Sequence, residues 1–88
     1  MNNDTRTAIA ALITRLDATT LEEIHSEVES IKDSEQEKFD NMPEGLQQSE
    51  RGQAMENAIQ ALDTALDSIQ SAIDAIGEAD GSLNEAME

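Results

Sequence analysis

The stretch "MENAIQALDTALDSIQSAIDAI", residues 55–76, carries the longest regular apolar pattern in the chain. Its large apolar residues recur at alternating steps of four and three: Met55, Ile59, Leu62, Leu66, Ile69, Ile73 and Ile76. A repeat of this kind places the side chains on one seam of an α-helix and is typical of coiled-coil packing. Ala58, Ala65 and Ala72 repeat beside this seam, and small side chains there let another helix approach closely.

The ends of this helix also have sequence signals. Ser49 is a candidate N-cap, and Gly77 stands just beyond the last seam residue, where a C-cap glycine is common. We therefore predict a helix over about residues 50–76. Residues 79–88 are expected to form a flexible acidic tail, so that a single helical domain spans residues 1–78.

Two further helices are predicted upstream. The first covers about residues 5–17, with Asp4 as its N-cap and with an apolar face made by Ile9, Leu12, Ile13 and Leu16. The second covers about residues 20–41, because Thr20 followed by Glu23 fits a capping box and Pro43 disfavours helix just before it. Its seam residues are Leu21, Ile24, Val28 and Ile31, and the pattern resumes only at Phe39.

The short connection between the second and third predicted helices indicates an antiparallel, coiled-coil-like hairpin, so the fold class is all-α. The N-terminal helix would cover the open side of the hairpin or pair with another subunit. A single hairpin leaves half of its apolar edge exposed, and a chain of 88 residues buries little core. A homo-oligomer, such as a dimeric bundle, is therefore expected.

Charge restricts the class of partner. Twenty acidic residues against five basic ones give a net charge of −15. Nucleic acid and anionic membranes both require Lys and Arg, so we expect neither as a direct partner, and a basic protein surface is favoured instead. The apolar run at residues 8–13 is too short for a signal peptide or a membrane span, which predicts a cytoplasmic protein.

The acids are arranged in two stripes. On the third predicted helix they follow steps of 7, 4, 7 and 4: Glu56, Asp63, Asp67, Asp74 and Glu78. On the second they follow steps of 7, 4 and 7: Glu22, Glu29, Asp33 and Asp40. No Lys or Arg follows Gly52, although a solvated helix face usually interleaves them with acids. Three interpretations stay open: the stripes imitate nucleic-acid phosphates, they bind a partner as another kind of acidic surface, or they form an acidic surface kept for solubility.

The sequence lacks the residues that catalytic and metal sites usually require. The chain has no Cys, its only histidine is His25 beside the second seam, and a thin hairpin offers no cleft that would separate the pKa values of paired carboxylates. Aligning Gly81 with the glycine of a calcium-binding loop puts apolar residues at both end positions, so that match fails. We expect no enzyme activity, no cofactor and no metal site.

The bend "FDNMPEGLQQSERG", residues 39–52, has a structural interpretation. Pro43 stops one helix, Ser49 starts the next, and Phe39, Met42 and Leu46 would plug the turn. Two expectations concern its cations. Arg51 opposes the helix dipole and should find a carboxylate, Asp40 or Glu44. Lys32 and Lys38 should pair locally, with Asp33, Glu35 or Glu50.

The bend also carries a resemblance. Its pattern Asp-Asn-x-Pro-Glu-x-Leu-Gln-x-Ser-Glu-Arg-Gly, between two acidic helices, resembles a run in small helical proteins of phages and prophages. The similarity covers about residues 33–76, with Phe39 where such proteins often have Tyr. It implies a mobile-element origin, a helical hairpin and, for a phage protein, the host cytoplasm. It implies no activity and no site residues.

Two functions are therefore expected from the sequence. The first is an acidic protein that binds a basic protein surface, as a nucleic-acid-mimicking inhibitor of a host defence or DNA-binding protein; inhibition rests on analogy with other small acidic phage proteins. The alternative is a structural or assembly module that acts through its heptad seam.

Overall fold

The computed structural model describes all 88 residues, and every regular element in it is a helix. In chain order these are α1 (Asn3–Arg15), α2 (Thr19–Asp40), α3 (Glu44–Gln47) and α4 (Glu50–Met87). The prediction of an all-α fold is confirmed. The molecule is a rod of 68 × 15 × 14 Å. At a rise of 1.5 Å per residue, α4 alone accounts for about 57 Å of that length.

One unbroken seam on α4 faces the other helices. Its buried and half-buried large side chains continue the steps of three and four that the sequence shows, and Asp80, Leu83 and Met87 extend them toward the C-terminus. Ile59 and Leu66, at 8% and 7% exposure, are the only buried apolar side chains in the protein. The core is therefore a thin line along the rod.

The C-terminal end of α4 differs from the prediction. The helix does not stop at Ile76, Gly77 is not its C-cap, and residues 79–88 are not a separate tail, because α4 runs on to Met87. The physical reason is that the seam continues beyond Ile76 and packs against α1. The Arg6 Nε donates a hydrogen bond to the Met87 carbonyl oxygen at 2.8 Å, and Leu83 shares a groove with Leu12 and Leu16.

Helix α1 lies in line with α2 and covers the last part of α4, instead of closing the side of a hairpin. Residues Leu16–Ala18 connect the two helices, and the contacts of α1 are made mainly with α4. The N-cap of α1 is Asn2, whose Oδ1 accepts a hydrogen bond from the Thr5 amide at 2.8 Å, and the predicted cap Asp4 lies inside the first turn.

The start of α2 is held by Asp17, to which the sequence analysis gave no role. The predicted Thr20–Glu23 capping box does not form, since the N-cap is Ala18 and makes no side-chain bond. Instead, the Asp17 carboxylate accepts hydrogen bonds from the Thr19 hydroxyl and, at 2.9 Å, from the Thr19 amide. These two bonds lower the pKa of Asp17, because they favour its charged form.

The inner face of α2 also differs from the predicted seam. Leu21, Val28 and Phe39 are half-buried, but Ile24 and Ile31 are 39% and 54% exposed. The inner positions between them belong to His25, Lys32 and Glu35. Steps of four and three from Leu21 through His25 reach Phe39 at the bend, whereas steps through Ile24 do not. The register is therefore set by the whole length of α2 against α4.

The bend is a tight, internally bonded turn. Gln47 Nε2 donates to the Phe39 carbonyl oxygen at 2.9 Å, and the Ser49 hydroxyl caps α4 by accepting the Gly52 amide at 3.3 Å. Gly52 is buried because the Gln47 carbonyl passes directly over its Cα. A Cβ at that position would overlap this carbonyl oxygen, so only glycine fits here.

Gly52→Ala should destabilise the protein by about 1–3 kcal/mol, because the bend must open to admit the methyl group. Gly77→Ala is the matched control: no atom lies within 4 Å of its added methyl, and removing a glycine from a helix interior should stabilise by about 0.5–1 kcal/mol. Thermal unfolding followed by circular dichroism measures both. Equal effects in the two variants would show that the bend does not need its glycine.

Candidate protein-binding face

Helices α2 and α4 lie side by side and run in opposite directions. Three cross-helix neighbourhoods fix their register. Lys32 Nζ contacts Asp63 Oδ1 at 2.7 Å, Glu22 and Ser26 line a groove with Gln70 and Ile73, and Gln36 and Phe39 line another with Glu56 and Ile59. Each step along α2 is thus matched by an equal step backward along α4.

This arrangement brings the two acidic stripes to the same side of the rod. In an antiparallel pair, the residues that follow the seam by one position point to the same flank on both helices. Glu22 and Glu29 directly follow the inner residues Leu21 and Val28, and Glu56 and Asp63 directly follow Met55 and Leu62. The shared grooves place Glu22 beside Gln70 and Gln36 beside Glu56, as this geometry requires.

The carboxylates of the two stripes are level with each other along the rod axis. The register set by Lys32 and Asp63, carried along both helices at equal rise, gives four levels. We call these eight residues the acidic face: Glu22 with Asp74, Glu29 with Asp67, Asp33 with Asp63, and Asp40 with Glu56. The face spans about 27 Å, which is roughly one carboxylate per 3–4 Å and close to the phosphate spacing of one DNA strand.

Glu78 lies apart from this face, although it belongs to the predicted stripe. The stripe repeats every eleven residues, or 3.67 per turn, whereas the seam repeats every seven, or 3.5 per turn. The stripe therefore winds away from the seam along α4. Glu78 stands two residues from both seam positions Ile76 and Asp80, about 200° around the helix from each.

Lys32 is the one cation inside the acidic face. The prediction that Lys32 pairs locally was wrong. Its ammonium reaches across to α4 and donates a hydrogen bond to Asp63 at 2.7 Å. That bond, aided by the negative charges of Asp63, Asp33 and Asp67, raises the pKa of Lys32 against the opposing effect of burial. Carboxylates from both helices thus surround this ammonium, and one of the eight charges is neutralised.

The remaining cations of the predicted bend lie on the other side. Lys38 does pair locally, with Glu35 at 3.2 Å. Arg51 makes no ion pair, and Asp40, one of its expected partners, accepts a hydrogen bond from Gln36 instead. Both cations line a groove of about 370 Å³ with Met42, Pro43, Leu46 and Met55. Leu46 is 50% exposed in this groove and does not plug the bend.

His25 is half-buried at the helix interface, with Nδ1 3.7 Å from a Glu29 carboxylate oxygen. No group of three or more His, Asp or Glu side chains has a geometry that could hold a metal ion. None of the four helices combines the length and the apolar character that crossing a bilayer requires.

No protein-family model, curated protein or solved structure matches the chain. The geometry of the acidic face, together with the pattern of the bend, therefore carries the functional argument.

Sequence reasoning missed the role of Lys32 in the acidic face and the role of Asp17 at the start of α2. The role of Lys32 had a signal, since it occupies an inner position of α2 opposite a helix that has no base after Arg51. The capping role of Asp17 also had one, because an Asp two residues before a helix start commonly accepts its first amides. The signal of Lys32 becomes readable only when the register of α2 is known, whereas that of Asp17 is local to the start of the helix.

The Lys32–Asp63 contact should give the stability a distinct alkaline dependence. Because the folded pKa of Lys32 is raised, its contribution is fully present below the unfolded pKa, about 10.4, and is lost as the pH rises through the folded value. Lys32→Gln should lower Tm by a few degrees at pH 7, and this difference from wild type should shrink above about pH 10.5.

Lys38→Gln is the control, because it removes the same charge from an exposed local pair. Thermal melts at several pH values compare the three proteins. A Lys32→Gln effect equal to that of Lys38→Gln at every pH would rule out a specific role for the cross-helix pair.

Proposed function

We propose that the protein binds a basic protein surface through the acidic face and acts as a nucleic-acid-mimicking inhibitor of a host defence or DNA-binding protein. The observation that carries this proposal is the alignment of carboxylates from α2 and α4 in level pairs on one side of the rod. A surface that binds DNA phosphates presents Lys and Arg at matching intervals, and it would meet a comparable row of charges here.

The distribution of charge supports binding over solubility alone. An acidic surface kept only for solubility gains from spreading its charges and from interleaving Lys as helix partners. Here α4 carries no base after Arg51, and its acids gather near those of α2 at a cost in mutual repulsion. Such a cost is offset when a cationic partner is bound.

The alternative, an assembly module that acts through the heptad seam, has less support. The seam residues of α4, from Met55 to Ile76, are turned toward α2 and are buried or half-buried. We infer that the antiparallel, coiled-coil-like hairpin is the working unit and that its seam is used within the chain. A partner would then meet the flanks of the helices.

The resemblance of the bend to phage and prophage proteins supplies the setting of the proposal. A phage-encoded inhibitor would act in the cytoplasm of the host cell, where its targets hold nucleic acid. In this bend Ser49 caps α4 and Gly52 admits the close approach of the Gln47 carbonyl. The pattern thus forms the turn that aligns the two acidic stripes.

Capture of basic proteins from host lysate tests the proposal. Immobilised protein should retain DNA-binding proteins at about 50 mM salt, release them at about 500 mM, and lose them to competing duplex DNA. Asp67→Asn with Asp74→Asn should weaken capture at least about tenfold, because both acids are free of Lys32's hydrogen bond. Lys32→Gln should strengthen capture, since it frees Asp63.

Glu23→Gln with Glu37→Gln is the matched control. It removes two charges from exposed positions of α2 that lie away from α4, and it should leave capture nearly unchanged. Circular dichroism checks that all variants stay helical. Retention that ignores salt, or equal losses in the two double variants, would exclude the acidic face as the binding site.

A further inference from the structure

The side of the rod opposite the acidic face is apolar. Ile24 and Ile31 on α2 are 39% and 54% exposed, seven residues apart on one line. On the neighbouring flank of α4, alanine recurs every seven residues. We call five of these residues the apolar face: Ile24, Ile31, Ala58, Ala65 and Ala72.

The antiparallel geometry that places the acids on one side of the rod also places these five residues together on the opposite side. Ile24 precedes the inner residue His25 by one position, and Ala58 and Ala65 precede the buried Ile59 and Leu66 by one. In an antiparallel pair, residues that precede the inner positions share one side, opposite to those that follow them. The apolar face is therefore continuous across the two helices and lies back to back with the acidic face.

Acidic side chains are nearly absent from this side, and its cations, Lys38 and Arg51, lie at the end of the rod near the bend. On α4, no acidic residue occupies the positions that repeat every seven residues from Arg51, which include Ala58, Ala65 and Ala72. None occupies the neighbouring positions that repeat every seven residues from Ala54. Glu27 is the one acid beside Ile24 and Ile31 on α2. In a chain of net charge −15, a side almost free of acids is an exception that calls for a physical reason.

The exposed area supplies that reason. The chain exposes 6265 Å², whereas a compact monomer of its mass, 9.6 kDa, would expose about 5,100 Å². One side of a rod 68 Å long and 15 Å wide offers on the order of 1,000 Å², and a stable interface needs about 800 Å² from each partner. The five named residues alone cannot supply this area, so the interface has to use the whole acid-poor side of the rod, along which α4 carries alanine at every seventh position from Ala58 to Ala86.

We propose that a second copy of the chain docks on the apolar face, face to face, and that the two hairpins form a four-helix arrangement. A two-fold rotation about an axis parallel to the rod lays the α2 of one copy over the α4 of the other. The isoleucine row then meets the alanine row of the partner copy, large side chains against small ones, so the face is complementary to itself. Both acidic faces stay outward.

Sedimentation of the full chain tests this assembly. The wild type should sediment as a dimer at micromolar concentration, and its Tm should rise with protein concentration. Ile24→Glu with Ile31→Glu should raise the dimer dissociation constant by about 100-fold or more, because four carboxylates would enter an apolar interface. Both positions are exposed in the single chain and glutamate favours helix, so helicity should be kept.

Two further variants make the result specific. Ile24→Ala with Ile31→Ala adds no charge and should still weaken the dimer about tenfold. Ser30→Glu with Asn57→Glu adds the same two charges at exposed positions on the outer edges of α2 and α4 and should leave the dimer intact.

A wild type that stays monomeric up to about 500 µM would overturn the proposal, as would an undiminished dimer in the Ile24→Glu, Ile31→Glu variant or equal dissociation in the outer-edge control. Salt separates this assembly from partner capture. Added salt should strengthen the dimer, because it screens two chains of charge −15, and should weaken the capture of a basic protein. Either proposal can therefore fail without the other.

Discussion

The seam on α4 is the constraint on which the rest of the structure depends. Its steps of three and four run without a break from Gly52 to Met87, and every other helix is placed by packing against it. Because Ile59 and Leu66 are the only buried apolar side chains, no local cluster could hold the fold if the seam were interrupted. Stability is spread along the rod in many small contributions, and the register of α2 follows from their sum. This explains why inner positions of α2 accept a histidine and a lysine while two isoleucines stay outside.

An antiparallel pair of helices turns a one-dimensional pattern into two opposite faces. Residues that follow the seam share one side, and residues that precede it share the other. In this chain the first set is largely acidic and the second is largely apolar. The bend at Gly52 matters for the same reason, because a turn of different length would shift α2 along α4 and move the carboxylates out of their level pairs.

Lys32 reduces the electrostatic repulsion between the acidic residues of α2 and α4. It is the only base that bridges α2 and α4, and it lies where acids of both stripes come together. One cation at this point stabilises the pairing of two acidic helices, while the carboxylates of the acidic face stay exposed. The Arg6 contact with the Met87 carbonyl serves the opposite end of the rod, where α1 takes the place of α2.

The sequence by itself determined the helical class, the seam of α4 and the spacing of the acids along each helix, because these follow from periodicity within one element. It also indicated that Ser49 begins α4. It did not determine where α4 ends, since Gly77 looks like a C-cap until α1 packs against Leu83 and Met87 beyond it. Nor did it determine the inner face of α2, because Leu21 and Val28 fit two registers and only contact with α4 selects the one through Lys32 and Phe39. The alignment of the two acidic stripes was decided by tertiary structure alone, since it depends on how far one helix slides along the other before the bend closes.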